Sequence, residues 1–376
     1  MEKESLESKG GLIFCRMRPH NHLGARRGCV AALAAAAALA HGANTGPPAP
    51  PAPPAPPAPP ALPWRWLDSS LPVDDRVAAL LATMTQAEKV AQTVHLTGGD
   101  FADVVKAYGA TGLGAFPMYG GGAGAIADRN KLQGALMNSS RLHLPVSFHS
   151  ETLHGACGGC TIFPMPAAQG STWNAPLVGA VAAVVATEAY STGIDRGFSP
   201  EINVPTDGRF GRTEENFAED PMLVGAYGAA AVRGLHAGEA SGPSAYLPPF
   251  AIVSEAKHAA AYAFGGKDGM AADVSERTLH DIYLRPWREY ARAGGRGLML
   301  AHNCINQAPC HSSATLMDWL RAQGNLSGAL FGSDMCDVGL LRGPGGFRVA
   351  ADLEHAAALS MGAGLDQELC NPTDGR

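Results

Sequence analysis

Apolar residues along this chain follow two periodicities, and from residue 71 onward segments of the two kinds alternate. Val77, Leu80, Leu81 and Met84 recur at three- and four-residue spacing behind Pro72 and Asp74-Asp75. This predicts an amphipathic helix with its acids where the helix dipole favours them. Further helices are predicted at 177–191, stopped by Gly193; at 276–293, stopped by Gly294-Gly295 and bent at Pro286; at 315–322; and at 350–361. Between them lie apolar runs at 112–116, 144–148, 198–204, 250–254, 297–301 and 328–331, each about strand length. Strands alternating with helices in this way predict a parallel α/β sheet joined by crossover helices.

Polar residues collect just past these runs: Glu151 and His154, the stretch 207–215, Lys257-His258, His302-Asn303, and Asp334. A solvated loop would explain any one of them. Five runs ending alike are what a (β/α)8 TIM-like barrel produces, because the segments after its strands converge on the face that carries the active site. The run Gly328-Ala329-Leu330-Phe331-Gly332-Ser333-Asp334 reads as a barrel strand with a carboxylate at its tip. An aspartate there can attack an anomeric carbon, form a glycosyl ester and release it to water, the retaining route for cleaving sugars. That route needs a second carboxyl group.

Composition narrows the picture. Net charge is -6, and no Lys/Arg cluster lies beyond the first 43 residues, which argues against nucleic acid as a partner. Residues 1–43 read as a signal or transit peptide: Arg16, Arg18, Arg26 and Arg27 precede an apolar run at 29–40, too short to span a bilayer, and Ala38-Leu39-Ala40 offers a cleavage site. Secretion is the expectation, with an organelle as the alternative. Residues 44–63 are a Pro-Pro-Ala linker, a polyproline II spacer of roughly 50 Å at about 3.1 Å per residue. Residues 64–376 form the folded domain. Residues 120–124 make a Gly/Ala-rich turn without a following Lys-Ser/Thr, His143 and His149 read as structural, and no trio of metal ligands stands out, so no cofactor is predicted. Cys157 and Cys160 predict a local disulfide, as do Cys304 and Cys310, and Asn138 and Asn325 head glycosylation sequons.

The motifs at these positions resemble glycoside hydrolase family 3, in particular the plant β-xylosidase and β-glucosidase type. The resemblance runs through Ser150-Glu151-Thr152-Leu153-His154-Gly155, Phe163-Pro164, Phe210-Gly211-Arg212-Thr213-Glu214-Glu215-Asn216-Phe217, Ala256-Lys257-His258, Met299-Leu300-Ala301-His302-Asn303 and Ser333-Asp334 to Ala363-Gly364-Leu365-Asp366. It implies a (β/α)8-like barrel, cleavage of β-linked xylose or glucose from oligosaccharides or polysaccharide, and Asp334 as nucleophile. Glu151, Arg212, Lys257 and His258 would grip the sugar hydroxyls, with Met299 and His302 beside them. The family's acid/base is usually a glutamate of a following α/β sandwich domain, which this chain lacks, so a missing domain or a second chain would supply it. His302 replaces a tyrosine, a change that would weaken the hydrogen bond positioning the nucleophile. Met335 replaces a tryptophan, which removes a stacking surface, and Phe210 replaces another. A catalytically impaired, sugar-binding barrel is the alternative reading.

Overall fold

The computed structural model describes residues 64–371 except 157, 239–245, 265–270 and 344–345. The predicted leader and linker lie outside the described residues. Eight parallel strands form the sheet: β1 (Val94–His95), β2 (Ala115–Pro117), β3 (Ser147–Ser150), β4 (Arg196–Gly197), β5 (Val253–Ala259), β6 (Gly297–Leu300), β7 (Leu330–Gly332) and β8 (Glu368–Leu369). Each pairs with the next in sequence up to β7, and β8 pairs with β1. A bridge between Gly332 and Gln367, with Ser333 N–H donating to the Gln367 carbonyl at 2.9 Å, closes β7 on β8. The result is the predicted (β/α)8 barrel.

Alternation along the strands sorts apolar from polar side chains. Phe148, Leu298, Leu300 and Phe331 face outward into two buried clusters under the helices. The neighbouring positions turn inward: His95, His149, Arg196 and Glu255 meet in the barrel interior, joined by Gln367 just ahead of β8. Arg196 Nε lies 3.1 Å from Glu255 Oε2, and its other nitrogens reach Gln367 and His95. A Cβ on Gly332 would stand 2.6 Å from Glu255 Oε1. Gly332→Ala should therefore cost about 1–3 kcal/mol by overpacking, read as a lowered urea midpoint.

Five of the strands overlap predicted runs, and β4 falls just ahead of the run at 198–204. β1 and β8 were not predicted, because two residues are too few to show a period. The helices Val73–Thr83, Ala175–Ser191 and Leu353–Ala363 match their predictions closely. The segment predicted as one helix at 276–293 is instead α-helical at Glu276–Thr278, π-helical at Leu279–Tyr283 and α-helical again at Arg285–Arg292, where Pro286 falls in the first turn and needs no donor. Two long helices were missed. Gly122–Ser139 opens on glycine and alanine and buries only Leu132 and Leu136, so it shows no apolar stripe. Pro221–Leu235, capped by Asp220, is buried nearly all round and shows no polar face.

Cysteine pairing also differs from expectation. Cys304 and Cys310 remain thiols; Cys336 bridges Cys370. Cys304 pairs in register with Pro309, so the pleat sends the next residue, Cys310, to the opposite face. There it is fully buried, and burial pushes its thiol up to about 12. Cys160 is disulfide-bonded, while Cys157 lies outside the described residues. Asn138 and Asn325 are exposed. Among the described residues, no helix is long and apolar enough to cross a membrane.

Candidate active site

The segments after β3, β4, β5, β6 and β7 bring most of the predicted site residues together. Lys257, on β5, is buried, and its Nζ donates to both oxygens of Glu151, just past β3, at 2.8 Å each. Burial works against the Lys257 cation, but Glu151 and Glu201 outweigh it and raise its pKa. The Glu151 side chain remains about half exposed and open to a ligand. The peptide bond between Lys257 and His258 is cis.

Arg212 sits in the loop after β4. Its Nε and Nη2 donate to Glu215 at 2.7 and 2.6 Å, and Nη2 also reaches buried Glu201 at 3.3 Å. Burial would raise the Glu215 carboxyl, but Arg212 overcomes it and holds it down to about 2. Glu201, with no exposed surface, is pushed well above the ordinary range by burial and by its neighbour Glu215. Arg212 Nη1 lies 3.3 Å from His258 Nε2, which in turn stands 3.4 Å from Asp334 Oδ2. Burial keeps the His258 ring neutral; the pull of Asp334 is offset by Lys257 and Arg212. Tyr262 packs edge-on against His258 with ring centroids 5.0 Å apart, and Phe210 packs edge-on against Tyr262 at 5.2 Å. The aromatic at 210 therefore braces Tyr262, and it is itself buried.

Asp334 follows β7. Its Oδ2 lies 2.7 Å from His302 Nε2, and its Oδ1 accepts from the Met335 N–H at 2.7 Å. Burial alone would raise this carboxyl. The His302 hydrogen bond and the positive charge beside it reverse that and hold it well below the usual carboxylate range. His302 thus stands against the carboxylate at short distance, in the place where the resemblance expects a tyrosine. The other His302 nitrogen, Nδ1, lies 2.7 Å from Asp337 Oδ2. Burial disfavours the imidazolium, yet hydrogen bonds to Asp334 and Asp337 raise its pKa to about 10. A pKa raised from 6.5 contributes stability that is full below about pH 6.5 and is lost as pH climbs through about 10. The three groups form a carboxylate, imidazolium, carboxylate triad in which each ring nitrogen stands 2.7 Å from a carboxylate oxygen.

Not every predicted residue reaches the site's polar surface. Met299 is buried and packs with Phe198 and Leu369 inside the barrel. His154 turns its ring to the Phe163 carbonyl at 3.0 Å. Met335 is exposed. Sequence reasoning missed Glu201, Asn203, Tyr262, His311 and Asp337. Glu201 left a signal, a carboxylate inside the apolar run at 198–204. Asp337 left a weaker one, a second acid three residues past Asp334. His311, from a loop after β6, accepts the Asp334 N–H at 3.3 Å and left none.

This constellation can be compared with known proteins. A β-xylosidase of Formosa agariphila is 33% identical over 242 residues, covering 61% of this chain and 32% of that protein. A β-xylosidase/α-L-arabinofuranosidase of Medicago sativa is 32% identical over 262 residues, covering 62% of this chain and 33% of that protein. The solved structure of a β-glucosidase from Erythrobacter marinus superposes with a TM-score of 0.75 at 30% identity, over 81% of this chain and 42% of that one. The chain thus spans about a third of the length of these curated relatives. Residues 88–375 match the family model for the glycosyl hydrolase family 3 N terminal domain, a span that takes in the barrel and every site residue above, and the chain belongs to glycosyl hydrolase family 3.

Proposed function

We propose that this chain is the barrel of a retaining β-glycosidase that removes terminal β-D-xylosyl or β-D-glucosyl residues, with Asp334 as nucleophile. The observation that carries the reading is a partly buried aspartate held ionised by an imidazolium, at a barrel mouth that also carries a buried lysine and an arginine. In the first step an Asp334 oxygen bonds to the anomeric carbon, the glycosidic C–O bond breaks, and the departing oxygen takes a proton from a general acid. Water then cleaves the ester and restores the carboxylate. Glu151, Arg212, Lys257 and His258 bind the sugar hydroxyls, the Glu151 carboxylate accepting and the cations donating. Glu151, Glu215 and Asp337 each already face a cation, and Glu201 has no exposed surface from which to reach a leaving group, which supports an acid/base from outside this chain. Retaining chemistry places it about 5 to 5.5 Å from Asp334. The leader features are those of an exported protein.

The test is the intact mass of the chain after incubation with 2-fluoro β-xyloside and β-glucoside carrying activated leaving groups, which need little protonation. An adduct of one sugar supports the reading, and the faster sugar indicates preference. Sugar binding by folded protein without an adduct would favour the impaired barrel. Glu151→Ala should slow labelling about tenfold to hundredfold at limiting reagent, as expected for losing hydrogen bonds to a charged group, with a smaller change at saturation.

A further inference from the structure

We propose that Asp337 is a positioning residue for the nucleophile: its carboxylate holds His302 by Nδ1, so that Nε2–H stays on Asp334 Oδ2. The proposal rests on the reading of Asp334 as nucleophile. Its ground is geometric. Asp337 is buried, and its Oδ2 lies 2.7 Å from His302 Nδ1, the same distance that separates His302 Nε2 from Asp334 Oδ2. Both carboxylates come from one turn after β7, where the Asp337 N–H donates to the Asp334 carbonyl at 3.3 Å. Between them Cys336 fastens the turn to the end of β8, by its disulfide to Cys370 and by its N–H on the Leu369 carbonyl at 2.8 Å. The spacing of the two acids is thereby set by the backbone, and one imidazole fills the gap.

A second carboxylate changes what that imidazole can do. With Asp334 alone, neutral His302 could carry its proton on either nitrogen, and one tautomer would turn a lone pair toward the nucleophile. Asp337 on Nδ1 removes that choice, because each acid needs a donor. Among the described residues no other neighbour performs this task. His311 Nε2 is 3.5 Å from Asp337 but is engaged as acceptor of the Asp334 N–H. His258 stacks near His302 with centroids 6.2 Å apart, and Tyr262 stands at 5.5 Å. Arg212 reaches only as far as His258, and Lys257 is committed to Glu151. His302 itself is too close to the nucleophile to serve as the acid across the anomeric carbon, where the partner group sits about 5 to 5.5 Å away.

The test compares wild type, Asp337→Asn and Asp337→Ala in the full chain by 2-fluoro glycoside labelling from about pH 5 to 9, with ¹⁵N NMR of the His302 ring. In wild type the labelling rate should be flat and the ring doubly protonated throughout. In Asp337→Asn the amide keeps the contact but not the charge, so His302 should titrate between about pH 6 and 9, and labelling should fall about tenfold or more across that inflection. Near pH 5 this variant should label within a few-fold of wild type, whereas Asp337→Ala should be slow at every pH. A brace without a positioning role would lower stability and leave the pH profile flat. A flat Asp337→Asn profile with His302 still doubly protonated near pH 9 overturns the proposal alone. Failure of wild type to label removes the nucleophile reading and this proposal with it.

Discussion

Asp334→Asn should abolish the sugar adduct and lower turnover of activated glycosides by about 10⁴-fold to 10⁶-fold, the range found when a group at the centre of a covalent mechanism is deleted. The amide is nearly isosteric, so shape is kept, but it has no charge with which to form an ester bond. The change also has a stability signature whose sign follows from the site. The Asp334 pKa lies below its unfolded value of about 3.8, so the carboxylate contributes stability above that pH, and the contribution is lost on acidification. The asparagine variant should be less stable than wild type at pH 7, and the gap should narrow as the pH falls below about 4. Intact mass, with circular dichroism to establish folding, checks both. An adduct that persists in the variant would place the nucleophile elsewhere.

Glu255→Ala should destabilise the barrel by about 3–5 kcal/mol, because it leaves the Arg196 guanidinium buried without its counter-charge. The remaining partners of Arg196, Gln367 and His95, are neutral: burial and the adjacent Arg196 charge hold the His95 ring well below its ordinary pKa. Glu255→Gln should cost less, since the amide keeps the shape and a dipole beside Arg196. Burial raises the Glu255 carboxyl despite Arg196 and Lys257, so its ionised form weighs against the fold above its ordinary pKa, and the glutamine avoids that penalty. A Glu255→Leu, Arg196→Met double variant should recover much of the loss, because the cost belongs to the orphaned charge more than to the missing pair. Urea unfolding of the four proteins decides this. Equal loss in the alanine and double variants would show that packing, not charge, sets the cost.

Legibility followed from how local each feature is. The helix Val73–Thr83 was readable because its acids, its proline and its apolar spacing all lie within one segment. Asp334 and the Lys257-His258 pair were readable because a charge at the end of an apolar run marks the mouth of a barrel. The helix Pro221–Leu235 was not, since burial on all sides erases the contrast that a periodicity measures. The Cys304 and Cys310 pairing failed on register, which a separation of six residues cannot express. The replacement of a tyrosine by His302 was readable as a change, but the charge of the new ring was not. Two carboxylates from the turn after β7 convert that ring into a cation.

By itself the sequence determined the alternation of strands and helices, and hence a parallel barrel with Asp334 on the face where the strands end. These depend on patterns within some ten to twenty residues, where side-chain period and backbone geometry are linked directly. Only the tertiary structure decided which charges meet: Lys257 with Glu151 across 106 residues, Arg196 with Glu255 inside the barrel, and His302 between Asp334 and Asp337. The protonation states that follow, a neutral His258 beside a charged His302, depend on burial and on neighbours brought in from other strands, and closure of the sheet on itself is what sets both.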